Sequence, residues 1–170
     1  MRIRRAVDAD RPAIARLHAA SWRDTYRAAL PASLLDERID NIMAERWANQ
    51  AVGPSDAVLV AEEDGRILGF AATWDGDPVY IDNLHVAAEA RSRGIGRALL
   101  AETARHFLGL GARSALLHVV DSNARARALY LALGGAPDGI EEKDLYGTRV
   151  PNERILWPDL ELLLERAAAG

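Results

Sequence analysis

The segment 79–96, V-Y-I-D-N-L-H-V-A-A-E-A-R-S-R-G-I-G, most constrains the fold, because it runs a buried strand straight into a glycine- and arginine-rich turn. Val79, Ile81, Leu84 and Val86 supply the apolar, partly β-branched character of the strand, and the polar run 91–96 precedes an apolar-periodic helix. A strand, a glycine turn and a helix start make an anion site for a simple reason. The first N–H groups of a helix lack intrahelical partners, the helix dipole puts partial positive charge there, and glycine lets a ligand come close. Arg91, Arg93 and Arg97 add cationic side chains, with Ser92 and Ile95 in the same turn.

Two common phosphate-binding patterns do not fit this turn. A dinucleotide fingerprint needs G-x-G-x-x-G, and Gly94-Ile95-Gly96-Arg97-Ala98-Leu99 has leucine where the third glycine must allow close helix packing. The run G-x-x-x-x-G-K-[ST] does not occur in the chain. What stands is R-x-x-G-x-G over 91–96. Downstream, Ala98, Leu99, Leu100, Thr103, Phe107 and Leu108 hold helical spacing, and the glycines at 109 and 111 stop the helix. The stretch 114–120, S-A-L-L-H-V-V, reads as a second buried strand parallel to the first, since a crossover helix joins them. Asp121-Ser122-Asn123 then caps a helix over 124–133 that ends at Gly134-Gly135.

With both blocks in view, the chain resembles the GCN5-related N-acetyltransferase (GNAT) family. That family writes its acetyl-CoA pyrophosphate loop as [RQ]-x-x-G-x-[GA] at such a strand-to-helix junction, matched here by Arg91, Gly94 and Gly96. Its second block is a strand followed by N-x-x-A-x-x-x-Y-x-x-x-G, matched by Asn123, Ala126, Tyr130 and Gly134. The resemblance covers 80–134 and implies an α/β GNAT fold. The expected sheet is mixed and twisted, of about six to seven strands flanked by helices, with strands 4 and 5 splayed for acetyl-CoA. One departure is Gly135, which stands where the family commonly has an aromatic after the glycine.

Composition narrows the class. A chain of 170 residues has room for one N-acetyltransferase domain over 1–170. The net charge of -4 argues against a nucleic-acid partner, and the absence of cysteine excludes disulfides and a cysteine nucleophile. His18, His85, His106 and His118 show no paired ligand spacing, so no metal is expected. No apolar run reaches membrane length and the N-terminus lacks a signal-peptide core, which points to a cytoplasmic protein without a membrane partner.

The rest of the chain supplies the layers. Residues 2–7 alternate as a strand, and Asp8 or Asp10 caps a helix opened by Pro12, carrying Ile14, Leu17, His18, Trp22 and Tyr26. Pro31 starts a second helical stretch, with Leu34, Leu35, Ile39, Ile42, Met43 and Trp47 on one face. The runs 57–61 and 67–74 form a hairpin across Asp64-Gly65. Segments 141–146 and 154–157 read as the last two strands, separated by 147–151. Asp159 caps a final helix bearing Leu160, Leu162, Leu163 and Leu164, and 167–170 is expected to fray.

The resemblance implies acetyl-CoA as co-substrate and a primary amine as acceptor. The site must then remove an ammonium proton, stabilise an oxyanion and return a proton to the leaving thiolate. Deprotonating a lysine-like amine at pH 7 costs roughly 4 to 5 kcal/mol, so a base or a water chain is needed. Glu89, Asp82 and His85 are the candidate bases. Strand alternation puts Asp82 on the face of Leu84 and Val86 and His85 on the other. Glu89 ranks first because the family often has a carboxylate there, the alternative being a simple ion pair with a loop arginine.

For the oxyanion the resemblance implies a backbone N–H at Leu84, His85 or Val86. It makes Tyr130 the general acid, against the alternative of a core residue, and has Asn123 bond the cofactor or loop, against a plain helix cap. The stretch 22–36 and the closing P-N-E-R-I-L-W are similar to a subgroup that includes bacterial polyamine acetyltransferases. Trp22, Tyr26, Trp74 and Asp82 are therefore candidate acceptor contacts, and Asp24, Asp75, Asp77 and Asp82 are placed to greet a small cationic amine such as a polyamine. A protein N-terminus or lysine and an aminoglycoside are alternative acceptors. A non-catalytic acyl-CoA-binding regulatory protein and a Rossmann-like redox protein are the alternatives of other classes. Family members are often dimers, so a homodimer is also expected.

Overall fold

The apolar runs at 57–61 and 68–73 are buried without alternation, as strands covered on both faces must be. In the computed structural model, which describes residues 1–169, they lie within a seven-stranded sheet of order β1-β2-β3-β4-β5-β7-β6. The elements are β1 (Arg2–Arg5), α1 (Arg11–Tyr26), α2 (Ile39–Asn49), β2 (Ala57–Glu63), β3 (Arg66–Trp74), β4 (Val79–Val86), α3 (Ile95–Gly109), β5 (Ala115–Val120), α4 (Ala124–Ala132), β6 (Ala136–Leu145), β7 (Thr148–Trp157) and α5 (Leu160–Ala168). Only β4 and β5 run parallel; every other neighbouring pair is antiparallel. The mixed sheet and the parallel pair follow the expectation from the sequence. Of the segment expected to fray, 167 and 168 continue α5, and Gly170 lies outside the described residues.

Two apolar layers cover the sheet. On one face Leu99, Leu100 and Phe107 of α3, Tyr130 of α4 and Leu160 and Leu163 of α5 pack with Trp157. On the other, Ile14 and Trp22 of α1, the π-helical stretch Ser33–Arg38 and Ile39, Met43 and Trp47 of α2 pack on Phe70. Asp159 caps α5 as expected, accepting from the N–H groups of Glu161 and Leu162. Neither Asp8 nor Asp10 caps α1. Asp10 instead turns back to the Val7 N–H at 2.8 Å and to the Arg4 guanidinium at 2.7 and 3.0 Å, tying β1 to the helix.

Three departures from simple alternation shape the molecule. Along β3 and β4, Ala72 faces Asn83 but Thr73 faces Ile81, so Asp82 is an extra residue, a β-bulge. The bulge reverses the side-chain alternation: Val79, Ile81, Leu84 and Val86 all pack toward α3, whereas Asp82 and His85 both face α1 and α2. Strict alternation had set Asp82 and His85 on opposite faces, and the inserted residue is what overturns it. Next, β4 meets β5 only at Val79–Ala115, Tyr80–Leu116 and Ile81–Leu117, after which the two strands part. Last, 147–151 is not a loop. The turn is Tyr146-Gly147, both at positive φ, and β7 runs through Val150 and Pro151 to form a two-stranded arm with β6 beyond the last β5 pair at Asn152.

Gly135 is explained by its neighbours. Gly134 ends α4 at φ +88°, and the Gly135 N–H reaches back to the Tyr130 carbonyl at 2.9 Å, a Schellman closure. A Cβ on Gly135 would lie 2.5 Å from Ile155 Cγ2 and 2.9 Å from the Trp157 ring. The aromatic that the sequence seemed to lack here is Trp157, whose indole N–H donates to the Leu133 carbonyl at 3.1 Å. Gly135→Ala should therefore destabilise the fold by about 2 kcal/mol, the usual cost of overpacking, read as a lower urea midpoint at unchanged m-value.

Candidate active site

Where β4 and β5 part, a cleft of about 1030 Å³ opens between them. Each strand stays extended because its other neighbour holds it: β3 pairs with β4 as far as Val86, and β7 pairs with β5 as far as Val120. The facing backbone edges, 82–86 on β4 and 118–120 on β5, are left without a strand partner. Its volume is at the upper end of the roughly 300–1,000 Å³ of small-molecule pockets.

One mouth of the cleft is the glycine turn. Gly94 at φ +76° swings the chain into α3, a conformation glycine adopts without strain. Among the described residues, the Ile95, Gly96 and Arg97 N–H groups have no backbone acceptor, and the first α3 bond is Ala98 N–H to the Gly94 carbonyl at 3.0 Å. These free donors and the dipole of a fifteen-residue helix fit a phosphate group. A Cβ on Gly96 would meet nothing closer than Leu129 Cδ2 at 3.6 Å, so this glycine is open to the cleft and not forced by packing. Arg91 lines the mouth and pairs with Asp24 at 2.7 Å, and Arg97 donates to the Arg166 carbonyl at 2.9 Å. Arg93 does not reach the cleft; it clamps Glu63 at 2.7 and 2.8 Å on the neighbouring strand. Its place is taken by Arg125, the second residue of α4, which donates to Ser92 Oγ at 3.2 Å. Only the pattern A-R-A-R after the cap pointed to it.

Asn123 caps α4 through Ala126 N–H at 3.2 Å and also lines the cleft, so its structural and ligand-facing positions coincide. One turn on, Tyr130 is 6% exposed, edge-on to Trp157, with its ring at the cleft wall. Burial, with the nearby Tyr26 phenol adding to it, raises its pKa well above that of an ordinary phenol. The group is therefore neutral and carries its proton at any physiological pH.

The other mouth opens on the α1/α2 face. Trp22 and Tyr26 stack at 4.7 Å between ring centres, and Tyr146 of the β6–β7 arm meets Trp22 at 5.8 Å. Burial and the Asp82 charge push the Tyr26 phenol up to about 12. Asp82 lines the cleft, and its Oδ2 accepts from Arg46 at 2.7 Å, Trp74 Nε1 at 3.1 Å and Asn83 Nδ2 at 2.9 Å. All three donors fall on one oxygen, which leaves Oδ1 for a ligand. Trp74 thus stands behind Asp82 and orients it without lining the cleft.

Glu89 is elsewhere. The 3-10 turn Ala88–Ala90 buries Ala90 and throws Glu89 outward, where it is 63% exposed, pairs with Arg66 at 3.3 Å and borders a separate groove. Asp75 and Asp77 sit on the exposed turn into β4, outside the cleft.

His85 lies at the cleft floor, 2.6 Å from Ser21 Oγ and 4.7 Å between ring centres from His18. His18 accepts the Trp47 indole N–H at 3.0 Å. Burial lowers the pKa of both, that of His85 to about 3; His85 and Arg46 lower His18 further, and the Arg46 and Arg91 charges do the same for His85. A ring that resists protonation this strongly is a poor proton acceptor, which sets His85 aside as the base.

Comparisons with known proteins agree with this geometry. A model of the acetyltransferase (GNAT) family matches residues 14–134. An uncharacterised N-acetyltransferase of Bacillus subtilis is 27% identical over 173 aligned positions, which span 95% of each chain. The structure of an acetyltransferase from Salmonella typhimurium with acetyl-CoA superposes at TM-score 0.69 and 24% identity, over 94% of both chains. A phosphinothricin acetyltransferase from Sinorhizobium meliloti in complex with acetyl-CoA gives TM-score 0.69 and 23% identity, over 93% of this chain and 88% of that one. The chain belongs to the acetyltransferase (GNAT) family. It is an acyltransferase of the acetyl-CoA-dependent N-acetyltransferase class.

The buried histidines set an acid limit. Unfolded, each titrates near 6.5; below that pH the unfolded chain binds protons that the folded chain refuses. Stability should therefore be full above pH 6.5 and fall as the pH drops below it, His85 contributing toward pH 3 and His18 in the same direction. Thermal melts between pH 7.5 and 5 check this. His18→Gln, which keeps an acceptor for Trp47, should flatten the acid slope.

Proposed function

We propose that the cleft moves the acetyl group of acetyl-CoA to the primary amine of a small acceptor by direct attack, with both substrates bound. The observation that carries this reading is the gap between β4 and β5, which joins an anion-binding helix start on one face to a polar, aromatic pocket on the other. The Ile95, Gly96 and Arg97 N–H groups, with Arg91 and Arg125, would hold the pyrophosphate. The open edges at 82–86 and 118–120 offer peptide groups to the amides of the pantetheine arm, and an N–H at 84–86 to the acetyl oxygen. Acetyl-CoA supplies an activated acyl carbon there.

Tyr130 gives its hydroxyl proton to the leaving sulfur and takes one from the attacking nitrogen. A phenol with a raised pKa demands this concerted exchange, since free phenolate is costly in a dry site. Asp82 Oδ1 anchors the acceptor ammonium beside the Trp22–Tyr26 pair. Glu89 has no part in the transfer, being outside the cleft.

The acid groups bear on the acceptor. Asp24 is neutralised by Arg91 and Asp82 by Arg46, while Lys143 also lines the pocket. That balance favours an acceptor with one ammonium group over a polyamine, which would place several cations beside arginine and lysine.

CoA thiol release from acetyl-CoA, measured across single-amine amino acids, spermidine, spermine, short peptides and aminoglycosides, tests the assignment. Single-amine acceptors should turn over fastest. Tyr130→Phe should lose about 10²- to 10⁴-fold in kcat with acetyl-CoA affinity nearly unchanged. Glu89→Gln should match the parent enzyme. A binder that gains thermal stability from acetyl-CoA yet releases no thiol with any amine would overturn the reading.

A further inference from the structure

The acceptor pocket contains a chain of hydrogen bonds that none of the groups above uses. Tyr80 on β4 and His118 on β5 line the cleft on the α1/α2 face where the strands part, Tyr80 among the last paired residues and His118 the first beyond them. Tyr80 Oη lies 3.0 Å from His118 Nδ1, and His118 Nε2 lies 2.8 Å from Glu141 Oε2 on β6. The His118 side chain is only 9% exposed and that of Glu141 is 45% exposed, so the chain runs from the cleft wall to solvent. A carboxylate can only accept, which makes Nε2 carry the ring proton; Nδ1 is then the acceptor and Tyr80 donates to it. The order of donation is fixed along the whole line, and it leaves the Tyr80 lone pairs for the acceptor.

Resting on the reading of the cleft as an N-acetyltransferase site, we propose that Tyr80, His118 and Glu141 form the proton exit that converts the bound acceptor ammonium into the attacking amine. The ammonium N–H bond breaks and its proton passes to Tyr80 Oη as the Tyr80 proton moves to His118 Nδ1. His118 gives its Nε2 proton to Glu141 and so to water. One N–H bond is lost, one proton reaches solvent, and the nitrogen keeps the electron pair with which it attacks. Tyr80 and Glu141 end as they began, whereas His118 ends as the Nδ1–H tautomer; it resets after product leaves, when Nε2 regains a proton from water through Glu141 and the Nδ1 proton passes through Tyr80 to water in the emptied cleft. Glu141 releases its proton beside Lys143, which pairs with it at 3.2 Å and favours the carboxylate.

The surroundings suit a transient imidazolium. His118 faces Tyr80 from β4, Glu141 and Lys143 from β6, and Arg154 from β7, where Arg154 is its cross-strand partner and is itself paired with Asp138 at 3.0 Å. Tyr80 is flanked by Tyr26, Asp82 and Arg46. Burial, Lys143 and Arg154 keep the His118 ring neutral at rest, and the Glu141 bond opposes them, so the ring accepts a proton and does not retain it.

The test compares two nucleophiles: the best primary amine of the thiol-release panel, which binds protonated, and hydroxylamine, which is neutral at pH 7. Tyr80→Phe and His118→Phe should each lower kcat for the amine about 10²-fold at pH 7, with recovery as the pH approaches the amine's own pKa. The KM for acetyl-CoA and the hydroxylamine rate should be unchanged. Unaltered amine turnover in either variant overturns the relay alone, as does an equal loss with hydroxylamine. Thiol release absent with every nucleophile overturns the acetyltransferase reading and the relay with it. Nitrogen-15 NMR of the histidine rings reads the chain without turnover: His118 should be the Nε2–H tautomer, with an Nδ1 shift that moves in folded Tyr80→Phe. An Nδ1–H tautomer overturns the proposal.

Discussion

A parallel strand pair that stops after three residues is an unstable thing to build, because every unpaired N–H and C=O beyond the stop must be satisfied by water or a ligand. The fold holds the gap open by securing each strand from its far side, β4 by β3 and β5 by β7. The bulge at Asp82 falls where the pairing ends. Added twist at a bulge carries β4 away from β5, so the residue that widens the gap is also the carboxylate that faces it.

From that gap follows a division of labour between the two layers. The layer of α3, α4 and α5 presents the free N–H groups at the start of α3 and the Tyr130 hydroxyl. The layer of α1 and α2 presents Trp22, Tyr26 and the Arg46–Asp82 pair. The sheet lies between the two layers, and the cleft opens through it where β4 and β5 part. In the plane of the sheet, the open edges of β4 and β5 are each held by hydrogen bonds on the opposite edge, to β3 and to β7.

Local patterns made much of this legible. The strand, the glycine turn, the helix and the N-x-x-A-x-x-x-Y spacing are short-range features, and each element lies where its pattern puts it. What escaped was set by residues distant in the chain. The bulge depends on how β3 pairs with β4, and alternation read along β4 alone could not include it. Glu89 has the right distance from the strand, but the 3-10 turn that buries Ala90 rotates it outward. Arg125 lines the cleft and Arg93 does not, because Glu63, thirty residues before Arg93, captures it. His118 carried no motif at all; it gains meaning only from Tyr80 and Glu141, which two other strands bring to it.

The β6–β7 arm projects beyond the end of β5 and is held to the sheet at one end only. Its tip at Tyr146-Gly147 roofs the Trp22 side of the pocket, and no hydrogen bond of the slot passes through it. Lengthening or shortening the arm by pairs of residues would reshape that roof while the register of β7 against β5 stayed as it is. One hairpin thus joins two separable parts, a strand locked into the sheet by β5 and a tip free of it, so the tip can change in length while the sheet keeps its register.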